Sequence, residues 1–158
     1  MDEDANAAAL QGRSVGILIH EGSDAAAIKS LRKAAETAGA TVKLVAIRLG
    51  NIKLSDGKSV DADGQLLGTP SLVFDAVAIV LSDEAGKQRS KEAAAVDFAS
   101  QAFAHLKAIA ADAGAQAVLK AGCVAKDAGV VGADDTKAFI KAAKTRQWDR
   151  EAKLRTLA

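Results

Sequence analysis

Two kinds of hydrophobic pattern alternate along the chain. Ser14-Val15-Gly16-Ile17-Leu18-Ile19-His20 is a short, nearly continuous apolar run, the pattern of a strand covered on both faces rather than on one. After Glu21-Gly22 the period changes. Ala27, Ile28, Leu31, Ala34, Ala35 and Ala38 recur at helical spacing, with Ser23 ahead of them as the expected N-cap and Gly39 just beyond as the stop. Thr41 to Arg48 reads as a second strand and closes a β-α-β unit. The turn pair Asp56-Gly57 predicts a two-residue hairpin near 52–60. Pro70 opens a connection through Leu72 and Phe74 to a third buried strand, Ala76 to Leu81, which ends at Ser82-Asp83.

Residues 91–106 place Ala95, Phe98, Ala99, Ala102, Phe103 and Leu106 on one stripe and predict a second large amphipathic helix. Ala108 to Ala111 is a very short apolar stretch; Asp112 to Leu119 then reads as helical up to Gly122. Val130-Val131 marks a weak last strand, and Asp134 or Asp135 is placed to cap a final helix through Phe139, Ile140 and Ala143. Strands alternating with helices predict an α/β domain with an open, doubly wound, mostly parallel sheet and helices on both faces. The expected boundaries are a linker or tail at 1–12, one domain at 13–147 and a C-terminal tail at 148–158, with Trp148 placed to pack onto the body, the favoured case, or onto a partner.

Ligands of such sheets bind beyond the carboxyl ends of the strands. The polar residues expected there are Glu21, Asp24, Ser82, Asp83 and Asp112. At the first turn, where a nucleotide-binding fold cradles phosphate on a helix N-terminus, Glu21 and Asp24 repel it. Only fragments of the acid and lysine set of a receiver domain are present. Asp112, at an abrupt strand-to-helix turn, has two readings: a helix cap, or a nucleophile or base with Glu21 or Asp24 as partner. His20, His105 and Cys123 form no cluster in sequence, and the cysteine reads as core filler.

Composition narrows the chemistry. The chain has 158 residues, with 21 Lys+Arg against 20 Asp+Glu, so no basic field marks it for nucleic acid. A single cysteine rules out an internal disulfide, and two histidines offer no zinc-ligand spacing. No run approaches the roughly 18 to 20 apolar residues of a membrane helix, and the acidic N-terminus is unlike a secretory signal. The expectation is a cytoplasmic protein without membrane or nucleic-acid partners and without a metal or cofactor in this chain.

Ala111-Asp112-Ala113-Gly114-Ala115-Gln116-Ala117-Val118-Leu119 resembles the nucleophile elbow of the PfpI-type superfamily, relatives of class I glutamine amidotransferases with a flavodoxin-like fold. The resemblance puts Asp112 where those enzymes keep cysteine, Ala27 where they keep glutamate and Gly132 where they keep histidine, so all three catalytic positions are vacated. Further segments resemble the C-terminal domain of large-subunit heme catalases: Arg13 to Leu18, Ser55-Asp56-Gly57, Phe74 to Val77, Phe103 to Ile109, and Trp148-Asp149-Arg150-Glu151. That resemblance implies an accessory, non-catalytic domain acting in stability, assembly or access to a core. The core would lie in the same polypeptide, form a homotetramer and carry heme that decomposes hydrogen peroxide. Catalase heme iron takes a tyrosine ligand, and this chain has none. The alternatives are a PfpI-like hydrolase with an altered site at Asp112 and a chaperone-like interaction domain.

Overall fold

In the computed structural model the described residues are 9–47 and 50–151. A six-stranded sheet carries the fold. Its strands are β1 (Ser14–Leu18), β2 (Thr41–Ala46), β5 (Gly64–Gln65), β6 (Ala76–Ile79), β7 (Ala108–Ala111) and β8 (Val130–Gly132). They lie in the order β5-β2-β1-β6-β7-β8 with every pair parallel. The remaining strands, β3 (Gly50–Lys53) and β4 (Ser59–Ala62), form a separate antiparallel hairpin.

The buried strands sort their side chains by parity. Ala76, Ala78 and Val80 join Val15 and Ile17 in one core, whereas Val77, Ile79 and Leu81 join Leu18 in the other. The first core is covered by α1 (Ala25–Thr37) and α5 (Thr136–Ala143) through Ile28, Leu31, Phe139 and Ile140. The second is covered by α2 (Asp83–Arg89), α3 (Ala93–Ala104) and α4 (Gln116–Ala121) through Ala85, Phe98, Phe103, Val118 and Leu119. Burying a side chain such as Phe98 or Phe139 contributes ~1.5–3 kcal/mol. Gly16 is required on the second face, because a Cβ there would lie 2.4 Å from the Phe74 ring. The expected open parallel sheet, helices on both faces and small hairpin are all present.

Several local expectations are revised. Asp24, not Ser23, caps α1. Ser23 is buried and its hydroxyl instead ties strand ends together, donating to the Val80 carbonyl at 2.6 Å and accepting from the His20 N–H. The hairpin turn has three residues rather than two: the Leu54 N–H bonds the Lys58 carbonyl, and Gly57 sits at φ +82°, the left-handed position of a three-residue loop. The helix expected over 91–106 begins at Ala93, and a second one, α2, precedes it. β1 ends at Leu18 and β2 at Ala46, and the expected β2 end, Arg48, lies outside the described residues. Asp135 caps α5, accepting from the Ala138 N–H. Cys123 is exposed instead of filling the core.

On either side of the expected 13–147 unit, residues also pack onto it. Leu10 is buried in the first core and Arg150 is buried near β7, whereas Trp148, expected to pack, is 60% exposed. Residues 1–8 of the expected linker and 152–158 of the expected tail lie outside the described residues.

Candidate functional site

The sheet order reverses at β1: β2 follows it on one side and β6 on the other. Beyond the carboxyl ends of β1, β6 and β7, at this switch point, lies an open crevice of about 530 Å³ whose walls include Gly22, Asp24, Ser82, Asp83 and Asp112. Each wall is built by a strand that stops and a helix that starts.

After β1 the chain turns at Gly22, whose φ of +83° suits glycine. The Asp24 carboxylate then accepts from the Ala26 and Ala27 N–H groups at 2.9 and 3.2 Å. The hairpin is fastened to the same turn: Lys53 N–H donates to Glu21 Oε2 at 3.0 Å, and Ala25 N–H to Ser55 Oγ at 3.0 Å. Glu21 thus braces β3. After β6, Ser82 Oγ caps α2 by accepting from the Ala85 N–H, and Asp83 and Glu84 occupy the first turn, where the helix dipole favours acids.

After β7 comes the elbow. Asp112 Oδ1 accepts from Leu81 N–H at 3.2 Å and from Ala115 N–H at 3.0 Å, so one carboxylate oxygen joins the end of β6 to the turn that leads into α4. Backbones approach closely here: a Cβ on Gly114 would lie 1.9 Å from the Leu81 carbonyl oxygen, and one on Gly86 would lie 1.7 Å from that of Gly114. Burial pushes the Asp112 carboxyl above the ordinary aspartate range, and the Asp24 charge adds to it; the N–H donors from Leu81 and Ala115 oppose the shift.

The three positions that the resemblance to the PfpI-type pattern leads one to expect as vacated fall at this end of the sheet. Ala27 is in the first turn of α1, Asp112 is the elbow residue, and Gly132 ends β8 in register with Ala111. Among the crevice walls are the carboxylates of Asp24, Asp83 and Asp112, the first and last holding backbone N–H groups. Asp112 has its elbow but no His or Lys among the walls to act as its proton partner. Cys123 lies past the far end of α4, and His105 is the C-cap of α3. Among the described residues no three His, Cys, Asp or Glu are grouped to hold a metal ion. With no tyrosine in the chain, the donor set does not fit heme iron of the catalase type.

At the opposite end of the sheet stand buried groups that the sequence pattern does not single out. Lys107 Nζ donates to the carbonyls of Leu72, at 2.6 Å, and Phe74. Burial, and then the Arg146 charge, push its ammonium below the ordinary lysine value, with Asp75 opposing. Arg150 holds Asp127 through two hydrogen bonds of 2.8 and 3.0 Å, donates to the carbonyls of Phe103 and Lys107, and lies 4.1 Å from the Phe103 ring centroid. The only sequence signal for Arg150 was its place in the Trp-Asp-Arg-Glu tail.

This sheet order, elbow and flanking helices define a PfpI-like, flavodoxin-like fold. Drosophila melanogaster DJ-1beta superposes with a TM-score of 0.70 at 15% identity, over 91% of this chain and 96% of that one. A family model for the C-terminal domain found in long catalases matches residues 11–151, and the chain belongs to that family. Catalase C of Rhizobium meliloti (strain 1021) is 36% identical over 147 residues, which are 89% of this chain and 21% of that protein. Catalase HPII of Pseudomonas putida is 31% identical over 148 residues, 90% of this chain and 20% of that protein. The chain therefore spans about one fifth of the length of the curated relatives it matches. No helix among the described residues is long and apolar enough to cross a membrane.

Proposed function

We propose that this chain acts as a non-catalytic accessory domain of a long heme catalase, contributing to stability, assembly or access to the core. The observation that carries the reading is the match over residues 11–151 to a domain found in long catalases, on a fold whose nucleophile position holds Asp112 engaged with two backbone N–H groups. In that role heme, peroxide decomposition and the homotetramer belong to the catalase core of the same cytoplasmic polypeptide, and the crevice has no chemical step of its own. The crevice walls bring Asp24 and Asp83 but no His or Lys to Asp112, and its Oδ1 is already held by the Leu81 and Ala115 N–H groups, which weighs against a PfpI-like hydrolase at Asp112. The chaperone-like alternative predicts suppression of client aggregation at stoichiometric amounts.

The test has two parts. The reading frame upstream of residue 1 is expected to encode a tyrosine-ligated heme domain. The 158-residue chain alone is expected to release no oxygen from hydrogen peroxide and to show no heme absorbance. Oxygen release by the isolated chain, or an upstream frame without a heme domain, overturns the proposal.

A further inference from the structure

α1 and α5 cover the first core side by side, yet between them they leave a shallow, largely apolar groove of about 470 Å³ on the outside of the molecule. Ala34, Ala38 and Ile140 are among the residues that line it, and Lys33 and Lys137 stand one on each wall. Both lysines are exposed, and neither forms an ion pair with another described residue.

Two observations identify the occupant. The first is where the chain enters the body. Leu10 is buried in the first core, and its N–H donates to the Ala38 carbonyl at 2.8 Å. Gln11 lies against Gly39, where a Cβ would come within 3.1 Å of the Gln11 Cα. Arg13 Nη1 donates to the Ala143 and Lys144 carbonyls at 2.9 and 2.6 Å. Residues 10–13 are thus clamped onto the C-terminal ends of α1 and α5, and the chain that precedes them sets out from Ala38, at one end of the groove.

The second observation is the sequence of that preceding segment, Met1-Asp2-Glu3-Asp4-Ala5-Asn6-Ala7-Ala8. Its small apolar residues, nearest the body, match an apolar floor, and its three acids match the two lysines. Its length fits as well. From Ala38 back to Ser30 the groove runs about 12 Å, at the helical rise of about 1.5 Å per residue, whereas eight extended residues reach about 26 Å. Asp24, Asp83 and Asp112 repel the same acids from the crevice at the other end of the strands.

We infer that residues 1–8 lie in the groove between α1 and α5 of their own chain, with Ala7 and Ala8 on Ala34 and Ile140 and with Asp2, Glu3 and Asp4 toward Lys33 and Lys137. The tether makes this association intramolecular, so a small contact suffices to hold it. A docked segment fixes the direction from which any preceding chain meets the body. Segment and groove both belong to this chain, so the inference stands apart from the accessory-domain reading.

The experiment places the photo-crosslinker p-benzoylphenylalanine at position 7 of the 158-residue chain. Cross-links within one chain to residues 30–38 or 136–140, mapped by mass spectrometry, are expected. The charge reversal Lys33→Glu/Lys137→Glu, at two exposed positions, is expected to lower their yield about fivefold, with an unchanged circular dichroism spectrum. Adding Asp2→Lys/Glu3→Lys/Asp4→Lys in that background is expected to restore the yield. Cross-links to other parts of the body, or no cross-link within the chain, overturn the inference. So does a yield that the charge reversal leaves unchanged or that the acid-to-lysine exchange fails to restore. Cross-links formed only between copies, which a mixture of isotope-labelled and unlabelled chains reveals, overturn it too.

Discussion

Ionisation and geometry oppose each other at Asp112, and the pH dependence of stability reports the balance. Its folded carboxyl titrates above the ordinary aspartate range because it is buried, so between the unfolded and the raised folded value the native state binds the extra proton. Stability then falls as pH rises through that window and stays at its lower level above it. Asp112→Asn keeps an acceptor for the Leu81 and Ala115 N–H groups and carries no charge. It is expected to match or exceed the native chain in urea unfolding at pH 7, with its advantage shrinking as acid protonates the aspartate. Asp112→Ala leaves both donors without their acceptor and is expected to cost about 1–2 kcal/mol across the range. Equal losses in both variants would mean that the charge itself is required. Lys107 makes the complementary case: Lys107→Met strips the Leu72 and Phe74 carbonyls of their donor and is expected to cost about 1–3 kcal/mol, with faster amide exchange over 71–75. Asp24 and Asp135 were legible as acids at strand-to-helix turns, since a cap bonds within its own turn; Asp112 was legible by its place at the elbow, but the helix there is capped by Ala115 and the Asp112 bond to Leu81, 31 residues away, was not. Lys107 was not, because its acceptors lie 33 and 35 residues away, where no local pattern reaches.

Elements were legible where side chains mark a face and obscure where the backbone itself makes the contact. α1, α3 and α5 bury Ile28, Leu31, Phe98, Phe103, Phe139 and Ile140, so their periodicity is strong. The buried residues of α2 are Ala85 and Gly86, which leave nothing for hydrophobic periodicity to detect. What α2 does offer is a Ser82 cap, Asp83 and Glu84 in the first turn, and Lys87 and Arg89 in the last. The same smallness is a packing requirement, because Gly86 lets α2 lie against the elbow backbone at Gly114. Gly86→Ala is expected to destabilise by about 1–3 kcal/mol through overpacking. A paired control, Gly68→Ala, meets no heavy atom within 4 Å and should shift the thermal midpoint far less. Equal midpoints for the two variants would show that the elbow yields freely.

Across the whole molecule, the parallel sheet followed from strands and helices in alternation, but the closure of the body at its far end depends on one residue that composition and periodicity assign to a charged tail. Arg150 reaches back to the start of β7, where its side chain is fully buried. There a single planar guanidinium grips both oxygens of Asp127, donates to the Phe103 and Lys107 carbonyls, and stacks on the Phe103 ring. Asp127 in turn bonds the Gly129 N–H just ahead of β8, so the anchor fastens the edge strand as well as the end of the described chain. A lysine offers one point charge in place of this fork, and neither the two-point hold on Asp127 nor the stacking survives the exchange. Arg150→Ala is expected to cost about 3–5 kcal/mol, the scale for removing one member of a buried pair, and Arg150→Lys to recover less than half of that. The double variant Arg150→Ala/Asp127→Ala separates the pair from the carbonyl contacts: if the ion pair dominates, removing Asp127 as well adds little to the loss from Arg150→Ala alone. Denaturant unfolding of the native chain, Arg150→Ala, Asp127→Ala and the double variant measures this coupling. Additive losses would instead place the stabilisation in the contacts to Phe103 and Lys107. Hydrogen exchange at Val130 and Val131 supplies the spatial readout, because loosening of β8 in Arg150→Ala is expected to accelerate exchange there before it reaches β1 or β6.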